Sequence, residues 1–198
     1  MQRLLAILLP LCILACSDGV SVQSGTIFPQ DVELLPGDVV FRRGSGVTSQ
    51  AVLMAEKGGT YSHVGIAVDS AGVVMVVHAV PYEDEEDRVK MEHPNDFFAP
   101  SKAQKGAVYR HRDNETARQA AEAAARVYQR GIAFDHDYDA DDTTKMYCTE
   151  LVIFAYGKTR HPLSNIRSHH LHLVGFESNC FLPSDLQHCK DLQQVTTF

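Results

Sequence analysis

Two apolar runs, His63-Val64-Gly65-Ile66-Ala67-Val68 and Val73-Val74-Met75-Val76-Val77-His78, flank the tetrapeptide Asp69-Ser70-Ala71-Gly72. Apolar, largely β-branched runs on either side of a turn signal predict a β-hairpin. If Val68 faces Val73, the indices of paired residues sum to 141, and His63 then faces His78 at the open end of the hairpin. Directly opposed residues share a sheet face, with Cβ atoms ~5 Å apart. The chain is thus expected to place two imidazoles side by side at a sheet edge.

A second stretch supplies a thiol. In Tyr147-Cys148-Thr149-Glu150-Leu151 an acidic loop gives way to an apolar helix, with Leu151, Val152 and Ala155 following Cys148 on one helical face and Gly157 as the stop. A cysteine in the first helical turn feels the positive end of the helix dipole, which favours thiolate. A buried cysteine that only packs is the other reading of this segment. A nucleophile needs a base, and the base an orienting group. Here the residues offer Cys148 as nucleophile, His63 to take the thiol proton and His78 to hold the His63 ring in one tautomer.

The remaining elements are simpler. Pro36-Gly37-Asp38 reads as a turn before a strand at Val39–Arg43, and Ser49 as the cap of a short helix from Gln50 to Lys57. Glu83 to Asp87 is an acidic run, expected as a solvated loop, and Asn95 to Ser101 is another loop. Gly106–Arg110 is a further strand; Asn114 caps an alanine-rich helix from Glu115 to Arg130, closed by Gly131. The aspartate-rich stretch Asp135–Asp142 fails the calcium-loop frame, with Ala140 where glycine belongs and Met146 where glutamate belongs. It is expected as a loop beside the site. His161, His169, His170, His172 and His188 in the tail have no zinc spacing and read as surface or loop residues.

Composition sets the boundaries. With 198 residues the chain is long enough for one domain with a proper core, and a net charge of −7 without a basic patch argues against nucleic acid as a partner. One cation in Met1-Gln2-Arg3 precedes an apolar run, Leu4–Leu14, of signal-peptide length. The run ends Leu14-Ala15-Cys16, which resembles a bacterial lipobox; the resemblance implies cleavage before Cys16 and lipidation of its sulfur. Expected organisation is therefore a signal peptide at 1–15, a lipid-anchored tether at 16–33 and a domain at 34–198, held at the membrane of a bacterial envelope and facing the periplasm or exterior. Of five cysteines, Cys12 would leave with the leader and Cys16 would be lipidated on that reading. In an oxidising compartment Cys180 and Cys189 could bridge, leaving Cys148 as the free thiol.

Three blocks resemble one family: Gly37-Asp38-Val39-Val40-Phe41-Arg42, Tyr61-Ser62-His63-Val64-Gly65-Ile66 and Tyr147-Cys148-Thr149-Glu150-Leu151-Val152. In that order they look like the permuted papain-like amidases of the YiiX/YaeF type, within the NlpC-type cell-wall cysteine peptidase superfamily. Phe181-Leu182-Pro183-Ser184-Asp185-Leu186 is similar to that family's C-terminal segment. The likeness spans about residues 33–190. It implies an α+β, circularly permuted papain-like (NlpC-type) fold; the order of elements agrees, giving a small antiparallel sheet of about four to six strands packed against helices, one bearing the cysteine. It also implies Cys148 as nucleophile and His63 as base. The third residue of these relatives is often a carboxylate; here the matching position is His78, which is similar to the lecithin:retinol acyltransferase branch. Tyr147 is expected to line the substrate site, and the Cys148 backbone N–H to serve as an oxyanion donor.

The expected activity is an envelope thiol hydrolase cleaving an amide, in a peptidoglycan stem peptide, through a Cys148 acyl-enzyme. No metal or cofactor is needed. A lipid ester or amide hydrolase or acyltransferase with the same triad is the alternative. A second alternative is a metal-binding or inactive binding module, since His63, His78 and Cys148 together form a possible zinc set.

Overall fold

In the computed structural model, residues 25–56, 59–83, 86–142, 144–173 and 176–198 are described. The expected leader, Cys16 and the first part of the tether lie outside the described residues. In chain order the elements are β1 (Val39–Arg43), α1 (Val47–Ala55), β2 (His63–Ser70), β3 (Val73–Glu83), β4 (Glu86–Glu92), α2 (Pro94–Phe97), β5 (Lys105–His111), α3 (Asn114–Gln129), β6 (Ala133–Phe134), β7 (Lys145–Met146), α4 (Cys148–Gly157), β8 (His169–Leu173), β9 (Phe176–Cys180), α5 (Pro183–Gln187) and β10 (Leu192–Thr197). Eight strands form one sheet in the order β10-β5-β1-β2-β3-β4-β6-β7, and β8 with β9 forms a separate hairpin.

The sheet is larger than the four to six strands expected. β3 does not stop at His78 but continues to Glu83 and pairs with β4, with a register break between Val80 and Glu83. Pro81 falls in that break, where its missing N–H is tolerated. β4 occupies part of the expected acidic loop. Its apolar residues Val89 and Met91 alternate with Arg88, Lys90 and Glu92, a strand pattern masked by the surrounding charge. The last strand, β10, comes from the tail and closes the sheet edge against β5.

The β2–β3 hairpin is present in a different register. Ser70 pairs with Val73 and Ile66 with Val77, so paired indices sum to 143 rather than 141. The turn is only Ala71-Gly72, both with positive φ (54° and 84°), as a two-residue hairpin turn requires. Asp69 and Ser70, expected in the turn, belong to the strand. Carried past the last bonded pair, this register sets Gly65, not His63, opposite His78. A slip of two residues preserves side-chain parity, so both histidines still share one face.

Each face of the sheet carries its own core. Val39, Phe41, Val64, Ile66, Val68, Val77 and Ala79 face α3 and α4. Alanines 120, 121 and 124 of α3 are buried there, and their small side chains let the helix approach the sheet closely. Val40, Val76 and Val108 point the other way, onto Phe97 and Phe98. Ile27, Phe28 and Val32 also pack on this second face, and the Ile27 N–H donates to Phe98 O at 3.0 Å. The last part of the expected tether is therefore part of the fold from residue 25. Caps shift slightly from expectation: Asp113, not Asn114, accepts the Thr116 N–H at 3.0 Å, and α1 begins after Gly46 with no side-chain cap.

The Pro36-Gly37-Asp38 turn ties the layers together. Gly37 N–H donates to Ala67 O at 2.8 Å, and its carbonyl accepts the Tyr156 hydroxyl of α4 at 2.7 Å. The Asp38 carboxylate accepts two Arg110 N–H groups at 2.7 Å each. Gly37 has φ 95°, and a Cβ there would lie 2.3 Å from the Ala117 carbonyl oxygen of α3. Gly37→Ala is expected to lower stability by about 2–3 kcal/mol, read as a drop in Tm or in the denaturant midpoint.

Candidate active site

Cys148 is the first residue of α4 and is 9% exposed. Glu150, in the first turn, reaches back to accept the Tyr147 N–H at 3.4 Å and fixes the entry into the helix. The Cys148 sulfur sits against the backbone N–H of Val64, the residue after His63, and lies 3.9 Å from the Thr149 hydroxyl. The thiol thus meets the sheet at the start of β2, at the residue after His63.

The two histidines come together as the sequence led us to expect, though as a diagonal pair. His63 Nε2 and His78 Nδ1 are 2.9 Å apart and hydrogen-bonded, with the rings edge to face. His78 is fully buried, and Phe97 packs against both rings, at 5.7 Å from His63 and 5.1 Å from His78. With His63 Nε2 engaged by His78, Nδ1 is the nitrogen left for a thiol proton.

A carboxylate unforeseen from the sequence stands behind this pair. Glu92, on β4, places Oε1 3.1 Å from His78 Nε2, while its Oε2 accepts from Lys102 Nζ at 2.8 Å. Arg42 on β1 approaches the same carboxylate at 3.6 Å and donates to Phe97 O at 2.9 Å. The signal for Glu92 was its alternation with Val89 and Met91, which gives a strand adjoining His78. Residues 88–94, between the two expected loops, carry no expected element, so Glu92 goes unplaced.

The electrostatics correct the expectation of a thiolate. Burial pushes the Cys148 thiol above its usual range; the Thr149 hydroxyl and the N–H groups of Val64, Thr149 and Cys148 itself offset this only in part. His63 is pushed well below 6.5, first by burial, then by the Arg42 guanidinium, by the His78 ring whenever that ring is protonated, and by the Lys102 ammonium. Near neutral pH the site therefore rests as a neutral thiol and a neutral imidazole.

An apolar cavity of about 270 Å³ opens at the thiol. Its walls include Ala51, Val52 and Ala55 from α1, Leu171 from β8, and Leu182 and Pro183 after β9. Tyr147 lines it, as expected for a substrate-site residue, but its hydroxyl is committed to accepting the Phe181 N–H at 2.7 Å. The aspartate-rich loop forms another wall through His136 and Tyr138. Buried Asp135 accepts the N–H groups of Asp137 and Asp139 at 3.0 and 2.7 Å, so this carboxylate shapes the loop. His63 lines a separate polar cavity of about 240 Å³ with Arg42, Ser62 and Lys102, and Thr48 touches both cavities.

The cysteine pairing is overturned. Cys148, Cys180 and Cys189 are all free thiols. Helix α5 intervenes between the last two: Cys180 faces the apolar cavity, whereas Cys189 lies beside Ser164 O at 3.6 Å and Asp191. The zinc reading fares no better. Among the described residues no three His, Cys, Asp or Glu side chains stand together as a metal set. His63 and His78 nitrogens 2.9 Å apart are bonded to one another, closer than the ~3.4 Å between two nitrogens on one tetrahedral zinc.

Comparison with known proteins gives concordant results. A family described as permuted papain-like amidase enzymes of the YaeF/YiiX type, the C92 peptidases, matches residues 33–196. No curated protein matches the chain. A crystal structure described as that of the metalloprotein yiiX from Escherichia coli O157:H7 superposes with a TM-score of 0.69, at 18% identity, over 84% of this chain and 99% of that one.

Glu150 provides a stability test. Its carboxyl is pushed from 4.5 up to about 8, first by burial and then by Asp135, Asp142 and Asp139, against the Tyr147 N–H. A carboxyl that holds its proton more tightly when folded contributes stability below pH 4.5 that is lost as pH rises through about 8. Tm is expected to fall across that window, and Glu150→Gln should flatten the decline in a pH series of thermal melts.

Proposed function

The chain belongs to the permuted papain-like amidases of the YaeF/YiiX type, and from that premise we propose that it is a cysteine amidase working through Cys148 and His63. The hydrogen-bonded His63–His78 pair at the start of β2, where the Cys148 thiol meets Val64, carries this reading. His63 Nδ1 takes the thiol proton as sulfur attacks the substrate carbonyl, and His78 holds the ring and shares the positive charge that develops. The oxyanion is received at the α4 N-terminus, with the Cys148 N–H as one donor. Imidazolium then protonates the leaving amine. The thioester left on Cys148 is hydrolysed by water activated by the same histidine.

The cavity favours the lipid reading of the substrate over the stem-peptide one. An acyl chain entering beside Ala51, Val52, Ala55, Leu171, Leu182 and Pro183 gains roughly 0.8 kcal/mol per buried CH₂. A stem peptide would have to desolvate carboxylates and amines against the same walls, which is unfavourable without partners. The reading as an envelope lipoprotein, with the Leu4–Leu14 run and Cys16 as leader and lipidation site, agrees with a substrate in the membrane. Transfer of the acyl group to an acceptor other than water uses the same intermediate.

The test is direct. Incubated with a long-chain N-acyl amide, a matched ester and purified muropeptides, the protein is expected to consume the lipids and form a thioester detectable by mass. Cys148→Ala should abolish turnover, and His63→Ala should slow it by ~10²–10⁴. Consumption of muropeptides with the lipids untouched would overturn the substrate class; an active Cys148→Ala would overturn the mechanism.

A further inference from the structure

We propose that Glu92 is a positioning residue of this site: its carboxylate sets the tautomer of His78 and, through it, the nitrogen at which His63 acts as base. The inference rests on the reading of Cys148 and His63 as nucleophile and base. It starts from a deficiency. His63 needs an orienting acceptor at Nε2, and the residue there is another imidazole, His78, at 2.9 Å. A neutral imidazole carries one proton on either of two nitrogens, and only one arrangement serves. If His78 is protonated at Nδ1, it donates towards His63 Nε2, and His63 must carry its own proton on Nδ1. The base is then blocked. If His78 is protonated at Nε2, its Nδ1 accepts from His63 Nε2–H, and His63 Nδ1 presents a lone pair.

Glu92 selects the second arrangement. It lies on the strand next to β3, paired with Val76, on the same face as His78. Its Oε1 stands 3.1 Å from His78 Nε2, an ion-pair contact between two buried atoms whose angle falls short of a formed hydrogen bond. An ionised carboxylate only accepts, so at this distance it favours a proton on that nitrogen. Burial raises the Glu92 carboxyl, but His78 and Lys102 outweigh it and hold the group at about 2, ionised at working pH. The order is then Glu92 carboxylate, His78 Nε2–H, His78 Nδ1, His63 Nε2–H, His63 Nδ1. A carboxylate displaced by one strand does, through one intervening ring, what a carboxylate bonded directly to the base would do. When His63 receives the thiol proton, the positive charge lies at the end of a chain anchored by Glu92, while Glu92 itself stays ionised.

Glu92→Gln keeps the shape and reverses the instruction. Lys102, 2.8 Å from Oε2, draws the amide oxygen and turns the NH₂ group towards His78 Nε2. His78 is then pushed to the Nδ1–H form. The experiment has two readouts, neither requiring a substrate. In ¹⁵N-histidine NMR near pH 8, wild-type His78 is expected to carry its proton on Nε2, and Glu92→Gln should move it to Nδ1. In a pH series of iodoacetamide alkylation of Cys148, sulfur displaces iodide and its proton leaves through His63. The variant is expected to react ~10²-fold more slowly near neutral pH, with its rise displaced to the higher pH at which the thiol ionises unaided. A merely structural ion pair would lower Tm and leave both readouts in place. Wild-type His78 protonated at Nδ1 overturns the inference even if the variant fails to fold, and so does a folded variant with unchanged tautomer and profile. A wild-type Cys148 no more reactive than Cys180 or Cys189 overturns instead the nucleophile reading on which the inference stands.

Discussion

The contact on which the site depends is the bond between His63 and His78, and a missing side chain allows it. In the observed register the residue opposite His78 is Gly65. A Cβ on Gly65 would lie 2.7 Å from a Val76 methyl and 3.2 Å from the His78 Cβ. With hydrogen there instead, the two strands approach closely and the His78 ring can lean diagonally across to reach His63 at 2.9 Å. The short sequence His63-Val64-Gly65 therefore has three separate duties. His63 carries the ring, Val64 presents its N–H to the thiol and fills the core beneath α4, and Gly65 makes room for the second ring. Strand alternation puts the first and third on one face and the second on the other.

How far this could be read from sequence follows from the same geometry. The expected hairpin register was wrong by two residues, yet the prediction that both rings share a face survived, because a two-residue slip preserves parity. A one-residue error would have sent His78 to the opposite face. The α4 boundary at Cys148 was legible because the apolar period changes sharply there. β4 was not, since three charged residues in alternation with Val89 and Met91 resemble a solvated loop in a single sequence. Glu92 was hidden with it. The disulfide expectation failed because cysteine counting carries no geometry: α5 separates Cys180 from Cys189 and turns them towards different surroundings.

The thiolate expectation failed for an energetic reason. The helix N-terminus does favour negative charge, by about 0.3–1 kcal/mol at an exposed position. Cys148 is buried beside an apolar cavity, where desolvation of the thiolate outweighs that gain. Burial acts on His63 in the opposite sense, so both partners are kept uncharged at rest. A neutral resting pair suits an apolar substrate, because an acyl chain can enter without stripping water from a standing ion pair. On the proposed mechanism, charge forms only when an oxyanion is there to balance the imidazolium.

Keeping two histidines and a carboxylate in order on one face requires a dry cover, and the chain builds it from its two ends. Phe28, near the start of the described residues, stacks on Phe98 at 5.4 Å, and Phe98 meets the final residue, Phe198, at 5.0 Å. Phe98 also abuts Phe97 at 4.8 Å, and Phe97 in turn packs on both imidazoles. Gly106 admits this column: a Cβ there would fall 2.2 Å from the Phe198 ring. The column lies on the face away from α3 and α4, so the helices that carry the thiol and the aromatics that shield the relay do not compete for space. The stretch from Ile27 to Val32, expected as part of a tether, thereby bears on the chemistry. It holds down Phe98, Phe98 supports Phe97, and Phe97 packs on the rings of both His63 and His78.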